Sequence, residues 1–202
     1  MIRNIVFDMG RVLIDFAPEY YIRSLGIQGE EAELLNRVVF ASLEWARMDR
    51  GSLTEEEALR MMQEKLPPHL HEAARRLVME WDRPLLPICG MADLVRDLKQ
   101  AGYGIYLLSN ASRRQHAYWD RIPGSEHFDG TLISADHLLT KPQHEIYELL
   151  FSTFSLDPQE CFFVDDAPAN MEGAYRCGME GFIFRGDVQE LRQALREKGV
   201  CC

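Results

Sequence analysis

The sequence predicts an α/β fold: a parallel-sheet core that is interrupted, directly after its first strand, by an all-helical segment. Three observations carry this. Short β-rich runs alternate with helical stretches from residue 88 onward. One further run, Ile5-Val6-Phe7, stands alone near the N-terminus. Between the two lie about 70 residues with helical spacing only. Strands that alternate with helices form a parallel sheet with right-handed crossovers, so residues 1–15 and 88–202 are expected to form one core and residues 16–87 a helical insertion that acts as a lid.

The elements follow in order. Ile5-Val6-Phe7 is a strand that stops at Asp8, and Gly10 breaks it before Val12-Leu13-Ile14. In the insertion, Thr54 followed by Glu57 is a capping box, and Leu59, Met62 and Leu66 recur behind it at helical spacing. Pro67-Pro68 closes that helix, His71 to Trp81 reads as the next, and Pro84 and Pro87 end the segment. In the core, Met91 to Ala101 is a helix ending at Gly102, and Tyr103 to Leu108 a strand. Ser112 to Trp119 is expected to be helical and Thr131 to Ser134 a strand. Gln143–Phe154 is a helix, Cys161–Val164 a buried strand and Ala169–Cys177 a helix. Gly181–Phe184 and Val188–Lys198 supply the last strand and helix.

The bulk properties narrow the function. With 22 Lys and Arg against 32 Asp and Glu the net charge is −10, which disfavours a nucleic-acid groove or an anionic-membrane patch. No apolar run reaches membrane-spanning length, and the N-terminus MIRNIVFD has no signal-peptide pattern. Five scattered cysteines, with no CxxC pair, point to a reducing compartment. The expectation is a cytoplasmic monomer without nucleic-acid or membrane partners, ending in an exposed, disordered Cys201-Cys202.

In open α/β sheets ligands bind beyond the carboxyl ends of the strands. Asp8, Ser109-Asn110 and Asp165-Asp166 all sit at such ends, and Lys141 lies just beyond another strand and its loop. Three crowded carboxylates repel one another unless a cation intervenes. Mg²⁺ prefers a few carboxylates plus phosphate oxygens, and Lys141 would neutralise further phosphate charge. Ser109 and Asn110 would hydrogen-bond the phosphate, and Asp8 would be a metal ligand or a nucleophile. Alternation along the strand sends Asp165 and Asp166 in different directions, and Asp166 is favoured as the direct ligand. The six histidines show no metal spacing, and Asp15 reads as a solvated charge. Trp45, Met48, Asp49 and Arg50 fall between two helices of the insertion, where core packing and substrate selection are equally good readings.

This constellation resembles the haloacid dehalogenase-like hydrolase superfamily over nearly the whole chain. VFDMGRVL resembles its first motif, YLLSN its second, KPQHEIY its third and FFVDDAPANMEGA its fourth. The resemblance implies a Rossmann-like catalytic core with a helical cap, Asp8 as nucleophile, Ser109 on phosphate and Lys141 stabilising the phosphoryl group. It also implies Mg²⁺ held by Asp8, the Gly10 carbonyl, Asp165 and Asp166. In one respect the sequence departs from the pattern. Phosphatases of this kind carry a second aspartate two residues after the nucleophile, and here that position is Gly10. Asp8-Met9-Gly10 is similar to a subgroup that resembles bacterial sugar-1-phosphate phosphatases, whose anomeric leaving groups need less protonation. The expected function is therefore Mg²⁺-dependent hydrolysis of a small phosphomonoester, such as a sugar 1-phosphate, through an aspartyl-phosphate. The rivals are a haloacid dehalogenase, which also lacks that aspartate, and a non-catalytic module that binds a phospho-ligand or a protein.

Overall fold

The computed structural model describes all 202 residues. Five strands, β1 (Asn4–Phe7), β2 (Gly104–Ser109), β3 (Gly130–Ile133), β4 (Cys161–Asp165) and β5 (Glu180–Ile183), form one parallel sheet in the order β3-β2-β1-β4-β5. The chain thus starts in the middle strand, builds outward on one side and then crosses to the other. The crevice at that reversal, beyond the end of β1, is where such sheets bind ligands.

Strand alternation divides the core into two layers. Ile5, Phe7, Ile105, Leu107, Phe162 and Val164 pack toward α6 (Met91–Gln100) and α10 (Val188–Glu197). Val6, Leu108, Cys161 and Phe163 face the opposite way, toward α8 (His144–Phe154) and α9 (Pro168–Arg176). In α6 the buried residues are Met91, Leu94, Val95 and Leu98, the i, i+3, i+4, i+7 stripe of a helix with one apolar face.

Between β1 and α6 lie α1 (Pro18–Ser24), α2 (Gly29–Leu35), a π-helical turn at Asn36–Phe40, α3 (Leu43–Arg50), α4 (Glu55–Gln63) and α5 (His71–Met79). The expected capping box opens α4: Thr54 N–H donates to Glu57 at 2.9 Å, and Glu57 N–H returns to the Thr54 hydroxyl at 3.2 Å. The chain enters and leaves this helical block side by side. Asp15 N–H donates to Leu86 O at 2.6 Å, and Ile88 N–H donates to Leu13 O at 3.0 Å. No helix of the chain is long and apolar enough to cross a membrane.

Two expectations are corrected. Ser112 to Trp119 is not an α-helix but part of a run of 3₁₀ turns at Arg113–Ala117, Trp119–Arg121 and Ser125–His127. Its side chains serve long-range contacts instead: Arg114 and Arg121 both pair with Asp82, which is fully buried at the exit of the helical block. Tertiary ion pairing has overridden local propensity. The C-terminus is also tied down. Cys201 N–H donates to the Tyr103 hydroxyl at 3.0 Å, and Cys202 O accepts from Arg196 at 3.0 Å. A four-residue helix, α7 (Ser134–His137), follows β3 directly.

Candidate active site

The parallel register brings the carboxylates together. Phe7 pairs with Val164, so Asp8 emerges beside Asp165 at the end of the sheet. By alternation both side chains fall on the α8/α9 side, where Lys141 arrives from the loop before α8. The Lys141 ammonium is fully buried and sits 2.8 Å from Asp8 Oδ1 and 2.7 Å from Asp165 Oδ2. It also donates to Leu108 O at 2.9 Å, so its three N–H bonds all have acceptors.

Electrostatics follow from this packing. Burial pushes the Asp8 carboxyl up to about 6; the Lys141 charge opposes the rise and Asp165 adds to it. Burial alone would lower the Lys141 pKa, but the Asp8 and Asp165 charges outweigh it and hold the ammonium above its ordinary value. The Asp166 carboxyl is raised by burial and by the Asp165 charge.

Asp165 and Asp166 have different surroundings. Asp165 Oδ1 accepts from Ala167 N–H at 2.8 Å and from the Asn170 amide at 3.0 Å, while Oδ2 takes Lys141. Asp166 meets only Arg11, at 3.6 Å, and keeps its lone pairs open. Single oxygens of Asp8, Asp165 and Asp166 lie within 4.8 Å of one another. An all-oxygen set of this kind fits a hard dication. Nearby, the Ser109 hydroxyl is buried without a hydrogen-bond partner. A phosphoryl oxygen would satisfy that hydroxyl, so the residues present fit both groups that the sequence implied.

Asp8 opens onto a cavity of about 150 Å³. Its walls combine core and helical-block residues: Gly10, Asn110, Ala111 and Ser112 on one side, and Phe16, Trp45, Asp49 and Trp81 with Tyr118 on the other. The aromatic rings form one cluster. Phe16 lies 5.7 Å from Trp45 and 5.2 Å from Trp81, and Trp81 lies 5.2 Å from Tyr118.

The family model for haloacid dehalogenase-like hydrolases matches residues 2–178. The chain belongs to the haloacid dehalogenase-like hydrolases. This hydrolase is 26% identical over 202 residues to the sesquiterpene phosphatase astK of Aspergillus oryzae, covering 93% of this chain and 94% of that one. It is 25% identical over 201 residues to a D-ribitol-5-phosphate phosphatase of Bacteroides thetaiotaomicron, covering 90% and 91%. It shares the fold of a family enzyme from Bacteroides thetaiotaomicron solved in complex with magnesium and inorganic phosphate. That match has a TM-score of 0.68 at 23% identity and covers 95% of this hydrolase and 99% of that chain.

The structure gathers Asp8, Gly10, Ser109, Asn110, Lys141, Asp165 and Asp166 around the end of β1. Asn110 behaves unlike the others, because its amide is engaged by the Lys141 backbone: it accepts from Lys141 N–H at 2.8 Å and donates to Lys141 O at 3.0 Å. Of the four residues left open in the sequence, Trp45 and Asp49 line the cavity, Met48 is buried and Arg50 is exposed. Asp15 is exposed, as expected. Phe16, Trp81 and Tyr118 had no sequence signal, since they come from three separate segments, and Arg11 lies inside the first motif without being singled out by it. Asn170, four residues after Asp166 at the start of α9, donates its amide to both Asp165 oxygens at 3.0 Å, the supporting role that its spacing in the sequence suggests.

Proposed function

We propose that this hydrolase is a phosphomonoesterase that works with Mg²⁺ on a small organic phosphate, with residues 16–87 as a cap over a catalytic core of residues 1–15 and 88–202. The observation that carries the reading is the buried Lys141 ammonium between Asp8 and Asp165, with Asp166 open beside them and the Ser109 hydroxyl unpaired. Asp8, Asp166 and the Gly10 carbonyl would hold the metal, which supplies positive charge against the phosphoryl oxygens. Asp165 is saturated by other donors and would serve by orienting Lys141.

Asp8 is ionised at neutral pH and lies at the mouth of the cavity, so its free oxygen can attack phosphorus in line. Phosphoryl transfer leaves charge on the three equatorial oxygens. Lys141 and Ser109 are already placed there and need no rearrangement, which is the electrostatic advantage of a preorganised site. The alcohol departs on the side opposite Asp8, and water then cleaves the aspartyl-phosphate. The cap excludes bulk solvent from both steps.

The cavity speaks to the substrate class. Gly10 by itself would favour an acidic leaving group, and an anomeric sugar hydroxyl is one. The Phe16, Trp45, Trp81 and Tyr118 walls favour an organic group with a broad apolar face, either a sugar ring presenting its C–H side or a hydrocarbon. A dehalogenase fits less well, because three clustered carboxylates against one ammonium would repel a haloacid carboxylate. The test is a screen of purified protein over sugar, nucleotide, isoprenoid and aryl phosphates with Mg²⁺ and with chelator. Release of phosphate that needs Mg²⁺ and disappears in Asp8→Asn supports the reading. Turnover of 2-haloacids without phosphatase activity would overturn it.

A further inference from the structure

In-line displacement puts the departing oxygen on the far side of phosphorus from Asp8, and the cavity onto which Asp8 opens is walled by the cap residues Trp45, Asp49 and Trp81. Gly10 offers no acid to that oxygen. Among the residues lining the cavity only two carboxyls occur, Asp8 and Asp49. We propose that Asp49, delivered by cap helix α3, is the general acid that protonates the leaving group in place of the aspartate absent at position 10. The assignment rests on the phosphatase reading above.

The geometry that holds Asp49 is specific. Trp45 and Asp49 are one helical turn apart on α3, so both project into the same cavity. The Asp49 carbonyl accepts a hydrogen bond from the Ser134 hydroxyl at the start of α7. The same hydroxyl accepts Ala111 N–H at 2.9 Å, which joins the cap helix to the loop after β2. Gly51 ends α3 with φ +82°, and a side chain there would strike the Ala135 carbonyl. This contact lets α3 approach the core as closely as it does. Glu55 adds a second tie, accepting from the Ser112 hydroxyl at 2.6 Å. Asp49 is thereby fixed relative to Asp8 although the two lie in different parts of the fold.

The surroundings suit a proton donor. Burial pushes the Asp49 carboxyl up to about 8; the Asp8 and Glu55 charges reinforce this, and the Ser112 N–H and Trp45 side chain oppose it. It therefore carries a proton at neutral pH. Tyr118, the other cavity residue with a dissociable proton, is pushed far above its ordinary value by burial and is too weak an acid to replace it.

The step balances. An Asp8 oxygen–phosphorus bond forms as the phosphorus–alkoxide bond breaks, and the Asp49 proton passes to the departing oxygen, which leaves as a neutral alcohol. In the second step water attacks phosphorus and gives its proton to the Asp49 carboxylate. The acyl-phosphate bond breaks, Asp8 returns as a carboxylate and inorganic phosphate departs. A proton supplied from the cap removes the restriction to acidic leaving groups that Gly10 would impose alone.

The test is kcat/KM of the full-length, Mg²⁺-loaded protein across aryl and alkyl phosphates, because kcat/KM reports the step that releases the alcohol. Wild type is expected to depend weakly on leaving-group pKa. Asp49→Asn should lose about 10²–10⁴-fold on alkyl phosphates but less than about tenfold on 4-nitrophenyl phosphate. A Gly10→Asp change added to Asp49→Asn should restore part of the alkyl rate, since a Cβ at position 10 meets only Phe16 Cβ, at 3.9 Å. Equal losses across the series, or a steep dependence already in wild type, would overturn the assignment while leaving the phosphatase reading intact. A wild type that turns over no phosphate ester removes both. The wild-type series needs no variant, so misfolding of Asp49→Asn does not blunt the test.

Discussion

Asn110 grips both polar groups of the Lys141 backbone, accepting from its N–H at 2.8 Å and donating to its carbonyl at 3.0 Å. The pair links the loop after β2 to the loop before α8. A flexible four-carbon side chain is thereby anchored at its root, while Asp8, Asp165 and Leu108 fix its tip. Asn110→Ala removes both hydrogen bonds at once. It should lower kcat by roughly 10-fold or more, because small displacements of a charged catalytic group are costly. The chain should keep its fold and its affinity for Mg²⁺, measured by calorimetric titration. Asn110→Asp, which keeps the acceptor, should fall between the two. Wild-type kinetics in Asn110→Ala would show that the tip contacts alone position Lys141.

Lys141 carries structural as well as chemical weight. Replacing it with methionine keeps the stem volume but leaves Asp8 and Asp165 without their shared cation. Breaking a buried ion pair from one side costs about 3–5 kcal/mol. Lys141→Met should therefore abolish turnover and lower the chelator-treated midpoint in denaturant. Added Mg²⁺ should recover part of that loss by binding the freed carboxylates. A variant as stable as wild type in chelator would mean that the two aspartates do not depend on Lys141 for compensation.

How much of this was legible in the sequence differs by residue, for physical reasons. Asp8, Ser109 and Asp165 could be placed because each ends an apolar run, and a parallel sheet delivers strand ends to one edge. The Thr54–Glu57 capping box is local and formed as written. Asp49 was visible only as an acid between cap helices. Its approach to Asp8 depends on Gly51 nesting against Ala135, 84 positions away in the sequence. The aromatic wall is assembled from Phe16, Trp45, Trp81 and Tyr118, which share no period. Ser112–Trp119 misled because half-buried Arg114 answers to Asp82 across the fold, together with Arg121 just beyond the segment, rather than to a helix stripe.

The aromatic wall should be separable from the phosphate site. Trp45 lies 4.9 Å from Phe40 and 5.7 Å from Phe16 and lines the cavity as part of the aromatic cluster. Trp45→Ala should raise KM for the best organic phosphate by roughly 10-fold or more, in line with the 1.5–3 kcal/mol of burying a large apolar side chain. Inhibition by inorganic phosphate, which has no organic group, should hardly change. Equal weakening of both would indicate that Trp45 supports the whole site rather than the leaving group.

The burial of Asp8 makes stability depend on pH and on metal with a definite sign. Its carboxyl lies at about 6 in the folded chain against an ordinary 3.8. Between those values the folded protein keeps a proton that the unfolded chain gives up. Stability therefore falls as pH rises through that window and levels off above about 6. Asp8→Asn has no such proton to lose. In chelator its thermal midpoint should match wild type near pH 4 and exceed it by several degrees near pH 7, since ~1 kcal/mol shifts the midpoint by about 2–4 °C at this size. Mg²⁺ reverses the order: it binds the ionised carboxylates and stabilises wild type through RT ln(1 + [Mg²⁺]/Kd), but gains little from the amide. Differential scanning calorimetry of both proteins at the two pH values, with and without Mg²⁺, measures this directly. A midpoint difference that stays constant from pH 4 to 7 in chelator would show that the folded chain does not raise the Asp8 carboxyl. A gain from Mg²⁺ as large in Asp8→Asn as in wild type would remove Asp8 from the metal site.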